Sequence, residues 1–453
     1  MNIDHHPAPA PAATDLPRRQ LSVWHAASVC VGMVIGAGIF KTTPNAAANL
    51  ASGTELMLAW TVGGVFALIG ALCFAEMAAA FPDTGGDYFF LRKSYGAWLG
   101  FLFAWSRFAV IHTGSMAMLA FVFGDYLGQV VHFGNYDSAL FATLIILSLT
   151  AINLAGIRFG IGTQITLMLV VLFGLLSVGL AGLWLSWQGA PVPPAPPAPG
   201  ARHLGTALVY IFLAYGGWSD AATLSAEMRD ERRGIRLALV LGMSVVTALY
   251  LLVNWAFLRG MGLAGLAHSE APAADLMLLA FGKPGQYAIV AVVAITSITV
   301  MNAIMIAGAR TTYAAARDTG ALKRLSRWHA VRGTPSTAIM AIGGFALLLV
   351  GFGTYTRGGF ETMVDYLSPV FWLFMTLSAL AVIVLRWRYP HVRRPYRAPL
   401  FPLLPLLFAL SSAYVLVSSL LYVKIGALVG VAVLAVGALL LVPLQRRAAK
   451  HRA

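Results

Sequence analysis

The sequence predicts an all-α integral membrane protein of about twelve transmembrane helices, the first and sixth of them interrupted. Three observations predict it. Charges are too sparse to clothe a water-facing surface, apolar segments of spanning length recur along the whole chain, and glycines break two of those segments at corresponding places.

Of the 453 residues, 59% are hydrophobic and 11% charged, where a soluble domain carries about 25% charged residues. The mean hydropathy is +0.78. A bilayer is therefore the expected solvent. Segments near the required length of about 20 apolar residues lie at Leu21–Leu50, Leu56–Phe81, Trp98–Leu127, Ala139–Ala155, Gly162–Trp187 and Leu204–Met228. Six more lie at Leu237–Leu258, Tyr287–Ala316, Thr337–Gly353, Met363–Leu385, Phe401–Leu420 and Ile425–Leu444. Two pairs are separated by short breaks only, at Asn153–Gly162 and at Tyr422–Gly426.

The net charge of +14 does not mark a nucleic-acid binder. If the chain starts in the cytoplasm, about 24 of its Lys and Arg fall on the cytoplasmic side. They cluster in Arg18-Arg19, Arg92-Lys93, "RDERRGIR", "RDTGALKRLSRWHAVRG", "RWRYPHVRRPYR" and the tail "RRAAKHRA". Both termini are expected in the cytoplasm, with a bacterial inner membrane as the expected location.

The same reading divides the chain. Residues 1–20 are a Pro/Ala-rich, disordered cytoplasmic start, without the charged n-region of a cleavable signal. Residues 21–187 form the first five spans, 188–203 a Pro-rich external loop, and 204–386 the next five. Residues 387–444 hold a basic loop and two further spans, and 445–453 a basic tail. The two cysteines, Cys30 and Cys73, both fall within spans, so no disulfide-linked heavy chain is expected. The sequence calls for no cofactor and no metal.

The interruptions carry the functional argument. "VGMVIGAGIFKTTP" (Val31–Pro44) holds Gly32, Gly36 and Gly38 at mid-span, although Gly costs about 1 kcal/mol against Ala in a helix. The plain reading of Gly32-x-x-x-Gly36 is close helix packing. The sixth span, "LGTALVYIFLAYGGWSDAATLSAEM", is broken in the same way at Gly216-Gly217. Two such breaks, one opening each half of a ten-span core, point to inverted repeats around a site at the membrane midplane. An unwound turn frees N–H groups on one half-helix and carbonyls on the other, and in hydrocarbon these must line a cavity. A positive helix end suits a carboxylate, and freed carbonyls suit an ammonium. An amino acid zwitterion carries both.

Five stretches in order resemble one family. "GMVIGAGIF", "AWTVGGVFALIGALCFAEMAAAFPDTGGDYFFLRKSYG" and "AYGGWSDAATLSAEMRDERRGIRLAL" are followed by "MNAIMIAGARTTYAAARDTGAL" and "LRWRYPHVRRPYRAPLFPLLP". The chain resembles an amino acid permease of the amino acid–polyamine–organocation superfamily, and is most similar to its L-type neutral branch. The resemblance implies a LeuT-like fold, five plus five spans related by inverted topology with two appended. It implies that N–H groups around Gly36, Ala37, Gly38 and Ile39 hold the substrate carboxylate. It implies that the carbonyls of Val34, Leu213, Ala214 and Gly216 hold the amine. Ser115 and Leu119 on the third span, with Tyr215, Trp218 and Ser219 on the sixth, are implied to line the side-chain pocket.

Departures from that family bear on gating and coupling. Leu213 stands where the L-type branch has an aromatic gate, with Phe212 or Tyr215 as substitutes, and Leu367 and Pro369 stand where aromatics are common in the tenth span. Val171 stands where many relatives carry a Lys in the fifth span. Ala303 and Ile304 stand where sodium would need hydroxyls.

Ionisable groups within spans are candidates by default. Asp220 follows the sixth-span break, as a proton acceptor or cation partner on one reading and a capping acid on the other. Arg107 and His112 are five apart on the third span, a proton relay or structural bonding. Glu76 ends the second span, a gate or a partner for a loop cation. Lys41 is expected to snorkel at the outer mouth, and Glu227, Arg229 and Arg310 lie at inner helix ends.

The function these features imply is secondary transport of small neutral L-amino acids by alternating access. The alternative on the same fold is a cationic amino acid, polyamine or dicarboxylic amino acid. A membrane-embedded enzyme would need a catalytic set at one depth. The sequence holds no HExxH, no G-x-S-x-G and no paired intramembrane aspartates.

Overall fold

Inside hydrocarbon a helix satisfies its own backbone, and helix is the only regular element among the described residues, which include no strand. The computed structural model describes residues 22–81, 86–156, 161–193, 203–219, 234–319, 325, 335–356, 358–421 and 425–450. The first half comprises α1 (Val23–Val34), α2 (Ile39–Ala47), α3 (Gly53–Ala80), α4 (Asp87–Tyr95), α5 (Ala97–Ser106), α6 (Thr113–Leu127), α7 (Asp137–Leu154) and α8 (Ile161–Trp187). A π-helical turn, Arg107–His112, joins α5 to α6. The second half comprises α9 (Leu204–Ala214), α10 (Gly234–His268), α11 (Pro272–Thr319), α12 (Ser336–Tyr355) and α13 (Gly359–Arg388). Two more helices follow, α14 (Leu403–Leu421) and α15 (Ile425–Lys450).

Nine spans among the described residues are long and apolar enough to cross a membrane, and the bent pair α1–α2 makes a tenth. Helix α9 and the Gly426–Leu440 part of α15 are apolar but shorter. The outward faces are apolar as well. Along α8, Leu169, Phe173, Leu176, Leu180 and Leu183 are all exposed, at the three- and four-residue spacing of one helix face. Such a stripe is stable only against lipid, and the chain is an integral membrane protein.

Local chemistry sets several ends. Helix α3 starts at Ser52, whose Oγ accepts from the Glu55 N–H at 3.1 Å, while the Glu55 carboxylate accepts from the Ala51 N–H at 2.7 Å. This is a capping-box sequence, S-x-x-E. Helices α10 and α11 each run past the predicted span and kink at a left-handed glycine, Gly262 (φ 67°) and Gly282 (φ 69°). Residues 259–286, which the predicted spans leave between them, thus form two short helical arms. Helix α15 likewise continues to Lys450 through the predicted tail, where "LQRRAAK" consists of good helix formers. Residues 1–20 and most of the Pro-rich stretch lie outside the described residues.

The breaks sit where the halves meet. Helix α1 packs on α10, and α2 packs on α9 and α10. Helix α6 lies against α7, α11, α12 and α13.

Candidate substrate site

Residues Ile35–Gly38 are not helical, and α1 and α2 meet across them at 53°. The second break follows α9, where Tyr215–Gly217 form a turn and Gly217 has φ 97°. That left-handed backbone is open to Gly alone without strain. It also brings the breaks together, because a Cβ on Gly217 would collide with the Met33 carbonyl.

The glycines divide by role. Gly32 is a packing glycine, with Met168 of α8 at 3.2 Å from where its Cβ would stand. Gly38 has nothing within 4 Å of that point, and Gly36 meets only Val300, at 4.0 Å. Gly216 meets only the Leu213 carbonyl, at 3.0 Å. The close-packing reading therefore holds for Gly32, while Gly36 and Gly38 border open space and a Cβ on Gly216 would crowd the carbonyl of its own turn.

Polar backbone atoms face that space. Gly38 is the N-cap of α2 and supplies no capping side chain. The N–H groups of Ala37, Gly38 and Ile39 find no acceptor among the described residues. Ala37 and Ile39 are fully buried. A buried, uncapped helix start lacks partners for its first donors, and its dipole favours a negative charge there.

The carbonyls are occupied differently. The Tyr250 hydroxyl of α10 lies 3.2 Å from both the Val34 and the Ala214 carbonyl oxygens, which accept its hydrogen bond. The Leu213 carbonyl accepts from the Gly216 N–H at 3.0 Å. Tyr250 thus joins both breaks at one atom, a role that no local sequence signal announced.

A family model described as amino acid permease matches residues 21–441. The chain belongs to the amino acid permease family. It is similar to the b(0,+)-type amino acid transporter 1 of Homo sapiens, 28% identical over 423 residues, covering 91% of this chain and 84% of that one. It is also similar to the large neutral amino acids transporter small subunit 2 of Mus musculus, 26% identical over 433 residues, covering 93% and 80%. The chain is an amino acid transporter, not an enzyme, in keeping with its apolar spans.

Around the breaks of this permease, the aromatic residues of the sixth span turn to α3. The Tyr215 hydroxyl donates to the Trp60 carbonyl at 2.9 Å, and its ring packs with those of Trp60 and Tyr250, which also meet each other. Phe212 stacks on Phe66 at 4.1 Å and meets Trp372. Trp218 packs on Phe74 and Phe408, against Gly70. Phe212, Tyr215 and Trp218, expected as gate or pocket residues, thus each pack against an aromatic ring of α3. Leu213 and Ser219 are half-buried. On α6, Ser115 is half-buried and Leu119 buried, beside Gly114, which packs on Tyr366 and Leu367. Asp220, Glu227 and Arg229 lie outside the described residues.

Lys41 does not snorkel. It is buried, with Nζ 2.7 Å from the Asp125 carboxylate of α6 and donating to the Glu270 carbonyl at 2.8 Å. Asn45 donates to Glu361 of α13 at 3.0 Å, and the Tyr126 hydroxyl donates to the Phe40 carbonyl at 2.7 Å. Helix α2 is thereby tied down at the end of the bundle opposite the basic loops, under the arm between α10 and α11.

At the basic end, Glu76 accepts both Nε and Nη2 of Arg386 at 2.6 Å and the Ala398 N–H at 2.7 Å. Arg394 Nε lies 3.6 Å from the same carboxylate. Burial lowers the Arg394 guanidinium below its ordinary range, while Glu76 works the other way. Glu76 therefore joins α3 to the end of α13 and the following loop. Arg107 Nε donates to His112 Nε2 at 3.3 Å, while His112 Nδ1 has no partner among the described residues. A relay through His112 has no next station there. Val171 is a buried apolar residue of α8, and no group of three metal-binding side chains occurs among the described residues.

Proposed function

We propose that this permease carries small neutral L-amino acids by alternating access, binding the zwitterion between its two breaks. The observation that carries the reading is the uncapped start of α2. Three N–H groups, on Ala37, Gly38 and Ile39, point where no acceptor is found, beside the open space at Gly38. Those donors, with Gly36, take the substrate carboxylate. The ammonium goes to the carbonyls of the facing edge, Val34, Leu213, Ala214 and Gly216, and the Tyr250 hydroxyl yields part of its hold on Val34 and Ala214. Ser115, Leu119 and Ser219 border the side chain, and their small or apolar character suits an uncharged one. A relative whose name specifies large neutral amino acids supports the neutral class.

Lys41–Asp125 and the α10–α11 arm form the gate opposite the basic loops, a reading supported by the 2.7 Å ion pair and the Lys41 bond to the Glu270 carbonyl. The basic face lies in the cytoplasm, with both termini, in a bacterial inner membrane. Cys30 and Cys73 are both buried, so a disulfide-linked heavy chain has no thiol to use.

Uptake into proteoliposomes loaded with amino acid tests this reading, with alanine, serine, leucine, arginine and glutamate as competitors. Alanine, serine or leucine should compete. Competition by arginine alone would move the substrate to the cationic class, and no competition by any of them would end the proposal.

A further inference from the structure

A second binding site lies at the basic end, far from the breaks. Helix α4 packs there against α5 and α13, and between them is a recess of about 330 Å3 lined by Phe89, Arg92, Lys93, Gly96, Arg388 and Tyr389. Three of those six residues are cations and none is an acid.

The cations are not spent on each other's neighbours. Lys93 Nζ lies over three rings, 4.5 Å from the Tyr389 centroid, 4.9 Å from Phe81 and 5.6 Å from Phe89. Ring faces hold it in place without neutralising it. Arg388 gives one Nη1 bond, to the Ser94 carbonyl at 3.2 Å, which leaves most of its planar fork of donors. Among the described residues neither Arg92 nor Lys93 meets a carboxylate. Gly96 adds a fourth positive element, because it opens α5 with no capping side chain and so presents that helix's positive end. Two guanidiniums, an ammonium and a helix start around one small recess match a phosphate group.

The depth of the recess identifies the source of the phosphate. Trp98 and Trp387 border it in sequence, next to Gly96 and Arg388, and they are 51% and 76% exposed. Exposed tryptophans sit at headgroup level, and basic recesses between spans at that level take anionic headgroups. We propose that Arg92, Lys93 and Arg388, with the start of α5, bind the phosphate of an anionic phospholipid headgroup and hold α4 against the end of α13.

The test uses the full chain purified in a neutral detergent, with native mass spectrometry and thermal unfolding as readouts. Phosphatidylglycerol should stay bound and raise the unfolding temperature, whereas phosphatidylcholine should do neither. Replacing all three cations by Gln should weaken retention about 100-fold. The single exposed variant Arg92→Glu should weaken it in the same direction, which covers a triple variant that fails to fold. Replacing Arg393 and Arg397, basic residues of the nearby loop, should leave retention unchanged. Equal retention in wild type and Arg92→Glu, or equal loss with the loop variant, would overturn the site. Protection by inorganic phosphate or glycerol phosphate equal to that by the lipid would overturn the lipid assignment. These readouts need no transport, so their failure is separate from failure of the substrate reading.

Discussion

Lys41 of α2 and Asp125 of α6 form a buried ion pair at 2.7 Å, and the proposed gate rests on it. Breaking it by removing one partner strands a buried charge, at a cost of about 3–5 kcal/mol. Asp125→Asn should therefore lower the unfolding temperature and let a cysteine placed at Thr42, buried one residue away, react with a water-soluble thiol reagent. Adding Lys41→Met to that variant should recover much of the stability. Equal stability of the single and double variants would remove the gate assignment.

Gly38 and Gly217 should respond oppositely to a side chain. Gly38→Val puts its methyls into space that is open in this structure, so the protein should fold and keep its unfolding temperature while losing amino acid binding. Gly217→Ala forces a left-handed residue against the Met33 carbonyl and should cost about 1–3 kcal/mol. Thermal unfolding with and without leucine separates the two effects. Wild-type affinity in Gly38→Val would contradict the carboxylate site.

Tyr250→Phe removes the hydroxyl that the Val34 and Ala214 carbonyls share. Leaving buried carbonyls without a donor costs about 1–3 kcal/mol. Stability without substrate should fall, and a saturating amino acid should restore more of it than in wild type, because the ammonium takes over both carbonyls. Identical substrate protection in the two proteins would show that the amine binds elsewhere.

Leu213→Phe fills a half-buried position beside the second break. It should change the order of preference among alanine, serine and leucine with little change in expression. An unchanged profile in competition uptake would show that Leu213 is not the gate.

Glu76→Gln should act on stability. It removes the charge that Arg386 grips with two bonds and that Arg394 approaches, leaving two buried guanidiniums without a counter-ion. An unfolding temperature well below wild type is expected, with substrate affinity in folded protein unaltered. A selective loss of transport at full stability would make Glu76 a gate instead of a tie.

The spans were legible because lipid imposes a length and a composition that survive any detail of packing. The breaks were legible because glycine pairs at mid-span work against helix, and a chain that retains them twice does so for a reason. The direction of a side chain was not legible. Tyr215 and Trp218 sit next to the second break in sequence, yet their rings find better burial on α3. Tyr250 lies in "LYLLVNW", where nothing local distinguishes it from a packing tyrosine, and only its two distant carbonyls reveal its place. Lys41 looked like a surface cation because its partner, Asp125, is far away along the chain.

Arg107 and His112 touch although residues five apart do not share a face of a regular α-helix. The π turn between them accommodates one extra residue, and that residue shifts the phase of everything after it by about 100°. Ser115 and Leu119 therefore face their neighbours in a rotational setting that the start of the same span does not share. Winding all six residues of the turn as regular α-helix would leave hydropathy and length almost untouched, yet it would swing both side chains to a different wall, whereas deleting the extra residue would leave them facing as they do.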